Sequence, residues 1–248
     1  MKHIFLSFAA IAATMCIFQT AVAKDAEDEE FRHVVVTLVS GEKVDGYLSR
    51  GWHAENSLFK PENWSFKMST TPDGKDKIEY TADDVISVEY TETTENNPDG
   101  IRWESHPLAS PSFSSRYDTV QRLFCVEKVG ENATIYWWKI WVSSGVNNMG
   151  RSLQTNYGIR FHNDPEGIVY PYSLVNSVLM DPKYPGLKQF CKDWFKGPDK
   201  KKHNKEADES PTWILDMYDA YLAQMGDEAA NLPLPFVDKK AEKKKDRK

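Results

Sequence analysis

The run Tyr136-Trp137-Trp138-Lys139-Ile140-Trp141 is the densest group of side chains suited to binding a ligand. On a strand, Tyr136, Trp138, Ile140 and Val142 share one face, and Trp137, Lys139 and Trp141 share the other. The first set reads as a core face. Trp137 and Trp141 are candidates for an exposed aromatic platform for a sugar ring or a peptide, with Trp52, Trp64 and Trp103 as further candidates. The competing expectation is that Trp137 and Trp141 pack beneath helices that need an apolar partner.

Other chemistry has little support. His33, His53, His106, His162 and His203 form no H-x-x-x-H or H-E-x-x-H pair for a metal. His162-Asn163-Asp164 places two ligand types close together, but Asp164-Pro165 reads as a turn. Asp73-Gly74 and Asp99-Gly100 resemble parts of calcium loops. The acid required at the twelfth loop position is Tyr80 in one and His106 in the other. There is no G-x-S-x-G nucleophile elbow. Cys125 and Cys191 sit in apolar surroundings, which suppress thiolate formation. Paired carboxylates for glycoside hydrolysis are not discriminated by a chain with 37 acids. No cofactor is expected.

The first 23 residues read as a secretory signal peptide: Lys2, an uncharged apolar stretch from Ile4 to Ala21, then Ala21-Val22-Ala23 before Lys24-Asp25. Cleavage between Ala23 and Lys24 removes Cys16. An oxidising compartment then permits Cys125 and Cys191 to pair, closing a loop of 65 residues and contributing about 4 kcal/mol in the chain-entropy model. No later segment is apolar enough to span a membrane, so the expected location is the periplasm or the cell exterior.

The 248 residues carry 31 Lys plus Arg and 37 Asp plus Glu, a net of −6. Residues 24–238 alone carry 23 basic and 35 acidic residues, a net of −12, while residues 239–248 form a basic tail. An acidic body argues against nucleic acid as a partner. An aromatic fraction of 12% and an apolar fraction of 40% argue against wholesale disorder.

Behind these residues the expected class is α+β. After the signal peptide (1–23) and an acidic spacer (24–30), five short strands over 31–92 suggest an SH3/Sm-like bent β module. Gly46 marks a bulge or close backbone approach, and Thr71-Pro72-Asp73-Gly74 a tight turn. Residues 93–180 read as a second antiparallel sheet, with one strand at most near Ile101–Glu104 and a loop from Pro107 to Ser115. Residues 181–226 read as a helical pair. The first helix has Pro185 at its first position and carries Leu187, Phe190, Cys191 and Trp194 on one face. The second is capped by Ser210 and carries Ile214, Met217, Tyr218, Tyr221, Leu222 and Met225. Residues 199–209 read as a charged loop, and 227–248 as linker and basic tail.

Val36-x-Leu38-x-x-Gly41-x-x-Val44-x-Gly46-Tyr47-Leu48 resembles the opening of Sm-like RNA-binding proteins, but it lacks their acidic-then-Asn base-binding segment. A broader resemblance is to uncharacterised exported proteins of Bacteroidetes-type bacteria. It rests on the signal peptide, that Val36–Leu48 pattern and the Thr71–Lys75 hairpin. It also rests on Tyr80-Thr81-Ala82-Asp83-Asp84-Val85-Ile86-Ser87-Val88 and on Tyr184-Pro185-Gly186-Leu187. It implies export, a β-then-α order and no assigned catalytic residues. Asp118-Thr119-Val120 likewise looks like the three-residue O-glycosylation site of such bacteria, with Thr119 as acceptor. The expectation is a non-enzymatic binding or assembly component of the cell envelope, its partner an envelope protein or a glycan. The alternatives are an envelope hydrolase with a dispersed site and a host-facing structural protein of the surface.

Overall fold

A computed structural model of the chain describes residues 31–49, 65–93, 100–111, 117–143, 151–175, 180 and 182–234. Ala21, Ala23 and Lys24, the acidic spacer and the basic tail lie outside these residues. Among the described residues, no helix is long and apolar enough to cross a membrane.

Among the described residues, ten strands form one antiparallel sheet in the order β10-β9-β8-β7-β6-β5-β1-β2-β3-β4. The strands are β1 Phe31–Leu38, β2 Lys43–Ser49, β3 Ser65–Ser69, β4 Lys77–Thr81, β5 Val85–Tyr90, β6 Arg102–Pro111, β7 Tyr117–Val129, β8 Ala133–Ser143, β9 Arg151–Phe161 and β10 Tyr170–Pro171. The helices are α1 Tyr172–Val175, α2 Leu187–Trp194, α3 Lys200–Glu209 and α4 Trp213–Met225, followed by a 3-10 turn over Gly226–Asn231. The chain is therefore mostly β, a curled sheet with few helices, and the expectation of a balanced α+β fold is overturned.

Two separate sheets are not formed because β5 pairs directly with β6, Ser87 opposite Glu104, Val88 opposite Trp103 and Glu89 opposite Arg102. The sequence hid this by the composition of β6. Its stretch RWESHPLASP contains two prolines and few β-branched residues, which reads as loop. It is a strand because it has partners on both sides. Its first residues pair with β5, and the nine from Trp103 to Pro111 pair with β7. Its middle is bridged by Val169 from the far end of the sheet. Ala109 N donates to Val169 O at 2.9 Å, and Val169 N donates to Pro107 O at 2.8 Å. That bridge curls the β6–β10 half onto itself.

Register explains the two cores. On β8, Tyr136 and Trp138 turn inward with Phe124 into a cluster that continues to Val34, Val36, Met68 and Val88 of the first strands. Ala133 and Ile135 turn the other way, beside Ile159 and Phe161 of β9, and are covered by Leu187, Ile214, Met217 and Tyr218 of the helices. Phe161 lies 4.2 Å from the Tyr218 ring and 4.6 Å from that of Tyr184. Each such fully buried side chain contributes about 1.5–3 kcal/mol.

Two glycines are required by close approach. A Cβ on Gly46 would lie 2.4 Å from Met68 Sδ, so this position seats Met68 against bare backbone. A Cβ on Gly158 would lie 2.8 Å from Val169 Cγ1, 2.9 Å from Tyr170 O and 3.0 Å from Trp138 Cζ3. Gly158 is thus what lets β10 and Val169 close over β9. Gly158→Ala is expected to destabilise by about 1–3 kcal/mol, as overpacking does. Urea unfolding followed by circular dichroism would measure it, and a change within 0.5 kcal/mol, the usual scatter of neutral surface substitutions, would show that the closure yields freely.

The helical region also departs from expectation. Pro185 is not in the first turn; α2 begins at Leu187 behind Gly186, whose φ is 78°. α4 begins at Trp213 behind Thr212, and the Ser210 hydroxyl accepts a hydrogen bond from Thr212 N at 3.2 Å instead of capping the helix. Residues 200–209 form a helix, α3, although it has no buried residue. A helix without an apolar face shows no 3.6-residue hydrophobic signal. Its support is local: Lys202 to Glu206 at 3.7 Å, Lys205 to Glu209 at 3.6 Å, and His203 docked on Trp194.

Candidate functional site

Three constellations have the residue types for function. The first lies on the inner face of the β6–β10 curl. Alternation along β6 aims Glu104 and His106 to the side on which Tyr136 of β8 and Arg160 of β9 also lie. Tyr136 Oη donates to Glu104 Oε2 at 2.5 Å and accepts from Arg160 Nε at 3.1 Å. His106 Nε2 is 3.0 Å from Glu104 Oε2 and 3.1 Å from Tyr136 Oη, and Arg102 reaches Glu104 Oε1 at 2.8 Å. Burial raises the Glu104 pKa. Hydrogen bonds from His106 and Tyr136 and the charge of Arg102 outweigh that and hold it at about 2. Burial and the adjacent Glu104 carboxylate push the Tyr136 phenol up. The network is internally satisfied, with the Glu104 carboxylate and the Tyr136 hydroxyl each committed to several partners. Its chemistry is that of a polar clamp.

The second constellation is Asp164 with Lys183, Glu166 and Tyr170. The Asp164 side chain is fully buried and Lys183 nearly so. Tyr170 Oη donates to Asp164 Oδ2 at 2.6 Å and Lys183 Nζ to the same oxygen at 3.4 Å, while Glu166 N donates to Asp164 Oδ1 at 3.1 Å. Lys183 also contacts Glu166 Oε2 and Tyr170 Oη. This ties the turn after β9 to the segment entering α2. His162 turns elsewhere, to Thr134 Oγ1 at 2.8 Å and Glu131 O at 2.9 Å, so His162 and Asp164 do not converge. Among the described residues, no group of three or more His, Cys, Asp and Glu side chains is placed to hold a metal.

The third is a pocket of about 460 Å³ between α2, α3 and α4. Small-molecule sites commonly span about 300–1,000 Å³. One wall is aromatic: Phe190 and Trp194 from α2 and Tyr221 from α4. Phe190 lies 6.1 Å from Trp194 and 5.7 Å from Tyr221, the latter nearly edge-on. His203 of α3 stacks flat on Trp194, with centroids 3.9 Å apart and planes 6° apart, and its Nδ1 lies 2.6 Å from Trp194 O. The Trp194 indole nitrogen is buried without a hydrogen-bond partner among the described residues, so stacking and packing hold the ring. Gln189, Asp193, Asp199 and Gln224 supply the polar rim. Gln189 Nε2 donates to Asp193 Oδ2 at 2.8 Å. Asp199 stands at the N-terminus of α3 without capping it.

The residues singled out from the sequence are scattered. Cys125 and Cys191 are free, buried thiols, so the pairing that an oxidising compartment would permit is not formed. Cys125 belongs to the cluster inside the sheet and Cys191 to the one under the helices, so different packing layers hold them. Burial pushes the Cys125 thiol up to about 12 and raises that of Cys191. Trp137 is half-buried against the inner cluster, edge-to-face with Trp103 at 5.4 Å, and Lys139 Nζ sits 5.9 Å from its ring. The Trp141 side chain, like Trp52 and Trp64, falls outside the described residues. Thr119 is exposed on β7 opposite Ala109. Phe190, Trp194 and Tyr221 were visible only as parts of apolar helix faces. Leu187 and Cys191 complete the buried contact of α2, while Phe190 and Trp194 stay half-buried and line the pocket. His203 gave no signal, because its helix has no apolar period. Compared with protein-family models, with curated proteins and with solved structures, the chain gives no match.

Proposed function

We propose that the protein is an exported, non-enzymatic binding component of a cell envelope, with the pocket between α2, α3 and α4 as its ligand site. The observation that carries this reading is the contrast between the three constellations. The Glu104 and Asp164 networks spend their polar groups on one another, whereas the pocket combines an aromatic wall with Asp199 and Gln224, which make no side-chain hydrogen bond among the described residues. Export rests on the Lys2 to Ala23 segment. Both thiols are buried with raised pKa, which argues against a cysteine nucleophile.

The test has two readouts on one sample. The purified protein is titrated by calorimetry with soluble envelope glycan fragments and peptides, and the same mixtures are followed by mass spectrometry. Binding that Trp194→Ala weakens, with no conversion of ligand, supports the reading. Cleaved product would overturn it in favour of hydrolysis, with Asp193 and Asp199 the first carboxylates to replace. Expression in a Gram-negative host should yield a mature chain beginning at Lys24; retention of residues 1–23 on a cytoplasmic protein would remove the export half.

A further inference from the structure

The side chains at the rim of the pocket offer more hydrogen-bond acceptors than donors. Asp193 and Asp199 bring only acceptor oxygens, Gln189 spends one of its two amide N–H groups on Asp193, and Gln224 adds one further amide. His203 is tied through Nδ1 to the Trp194 carbonyl. The Tyr221 hydroxyl is likewise spent, donating to Pro185 O at 3.0 Å. Among the described residues, no Lys or Arg lines the pocket. A ligand that uses the two carboxylates must therefore bring donors of its own.

The wall adds a second requirement. Trp194 is backed by His203 in face-to-face contact, and Phe190 and Tyr221 extend the apolar surface beside it. Such a wall takes a flat apolar face, while the acceptors around it take an edge rich in O–H or N–H groups.

We propose that the pocket binds a sugar, neutral or amino-substituted and not acidic, with the C–H face of one ring on the Phe190–Trp194–Tyr221 wall and its hydroxyls on Asp193, Asp199 and Gln189. This rests on the pocket being the ligand site. A uronic acid would set its carboxylate against Asp193 and Asp199, where like charges repel, and Lys196, 3.8 Å from Asp193 Oδ1, is mostly exposed and offsets little of this.

The test uses three tetrasaccharides that differ in charge: cellotetraose, a glucosamine tetramer and a tetragalacturonate. Calorimetric titration of the purified protein should show the neutral or the amino sugar binding at least tenfold more tightly than the uronate. Trp194→Ala should weaken that binding at least tenfold. Asp199→Asn, at an exposed position without a side-chain cap to lose, should weaken it about fivefold and leave the unfolding transition in place. Uronate binding as tight as the neutral sugar, or no binding of any of the three, overturns the proposal. If the sugars fail and a peptide binds in a Trp194-dependent way, the sugar falls and the pocket stands. If binding of every ligand ignores Trp194, the pocket itself is not the site.

Discussion

Lys183→Met should destabilise the fold by about 3–5 kcal/mol, the usual consequence of leaving a buried charge without its partner. The Asp164 side chain is fully buried. Without Lys183 it would keep the Tyr170 hydroxyl and the Glu166 amide but no cation. The backbone bond from Leu234 N to Lys183 O, 2.9 Å long, does not depend on the side chain, so the loss reads the ion pair itself. Replacing both charges, Lys183→Met with Asp164→Leu, should cost less than the two single changes summed, because the pair is coupled. Glu166 is mostly exposed, and Glu166→Gln should stay within about 0.5 kcal/mol, as exposed ion pairs do. Urea unfolding of the four variants gives the cycle. A Lys183→Met loss below 1 kcal/mol, less than the ordinary net value of a charged hydrogen bond, would mean that water reaches Asp164.

Much of this architecture was legible, and what escaped has physical causes. β1 to β5 announce themselves because alternation and turn chemistry agree. Gly41 has φ 85° and Gly74 φ 74°, as tight turns require. The inward face of β8 was likewise readable: Tyr136 and Trp138 are fully buried, as their spacing implies. β6 escaped because its strand character comes from β5, β7 and Val169, not from its own residues. That omission split one sheet into two. α3 escaped because it is polar all round and stands by docking His203 on Trp194. The pocket followed it out of sight, since one wall belongs to a helix with no periodic signal. The Asp164–Lys183 contact joins residues 19 apart in sequence through a turn, and no local pattern marks such a pair. Composition was silent on all three, because packing of distant segments decides them.

Glu104 makes the strongest case for acid sensitivity. Its carboxyl stands at about 2 in the folded protein against an ordinary value of 4.5. The unfolded chain therefore binds the proton more tightly, and acid favours unfolding. The stabilisation is fully present above pH 4.5 and is lost as the pH falls towards 2. A difference of that size corresponds to about 3 kcal/mol. Glu104→Gln keeps the shape of the side chain and one acceptor oxygen but removes the charge that Arg102, His106 and Tyr136 all address. It should destabilise by about 2–3 kcal/mol at neutral pH and flatten the stability profile between pH 4.5 and 2. Exposed Asp73, whose pKa Lys75 and Thr71 lower to about 2, titrates in the same range, so the difference between wild type and variant isolates Glu104. Guanidinium midpoints at intervals from pH 2 to 7 measure that difference directly. Parallel profiles for the two proteins would show that the charge of Glu104 does not support the curl. Convergence of the two at low pH is the expected result, because a protonated Glu104 and a glutamine offer their neighbours the same neutral acceptor.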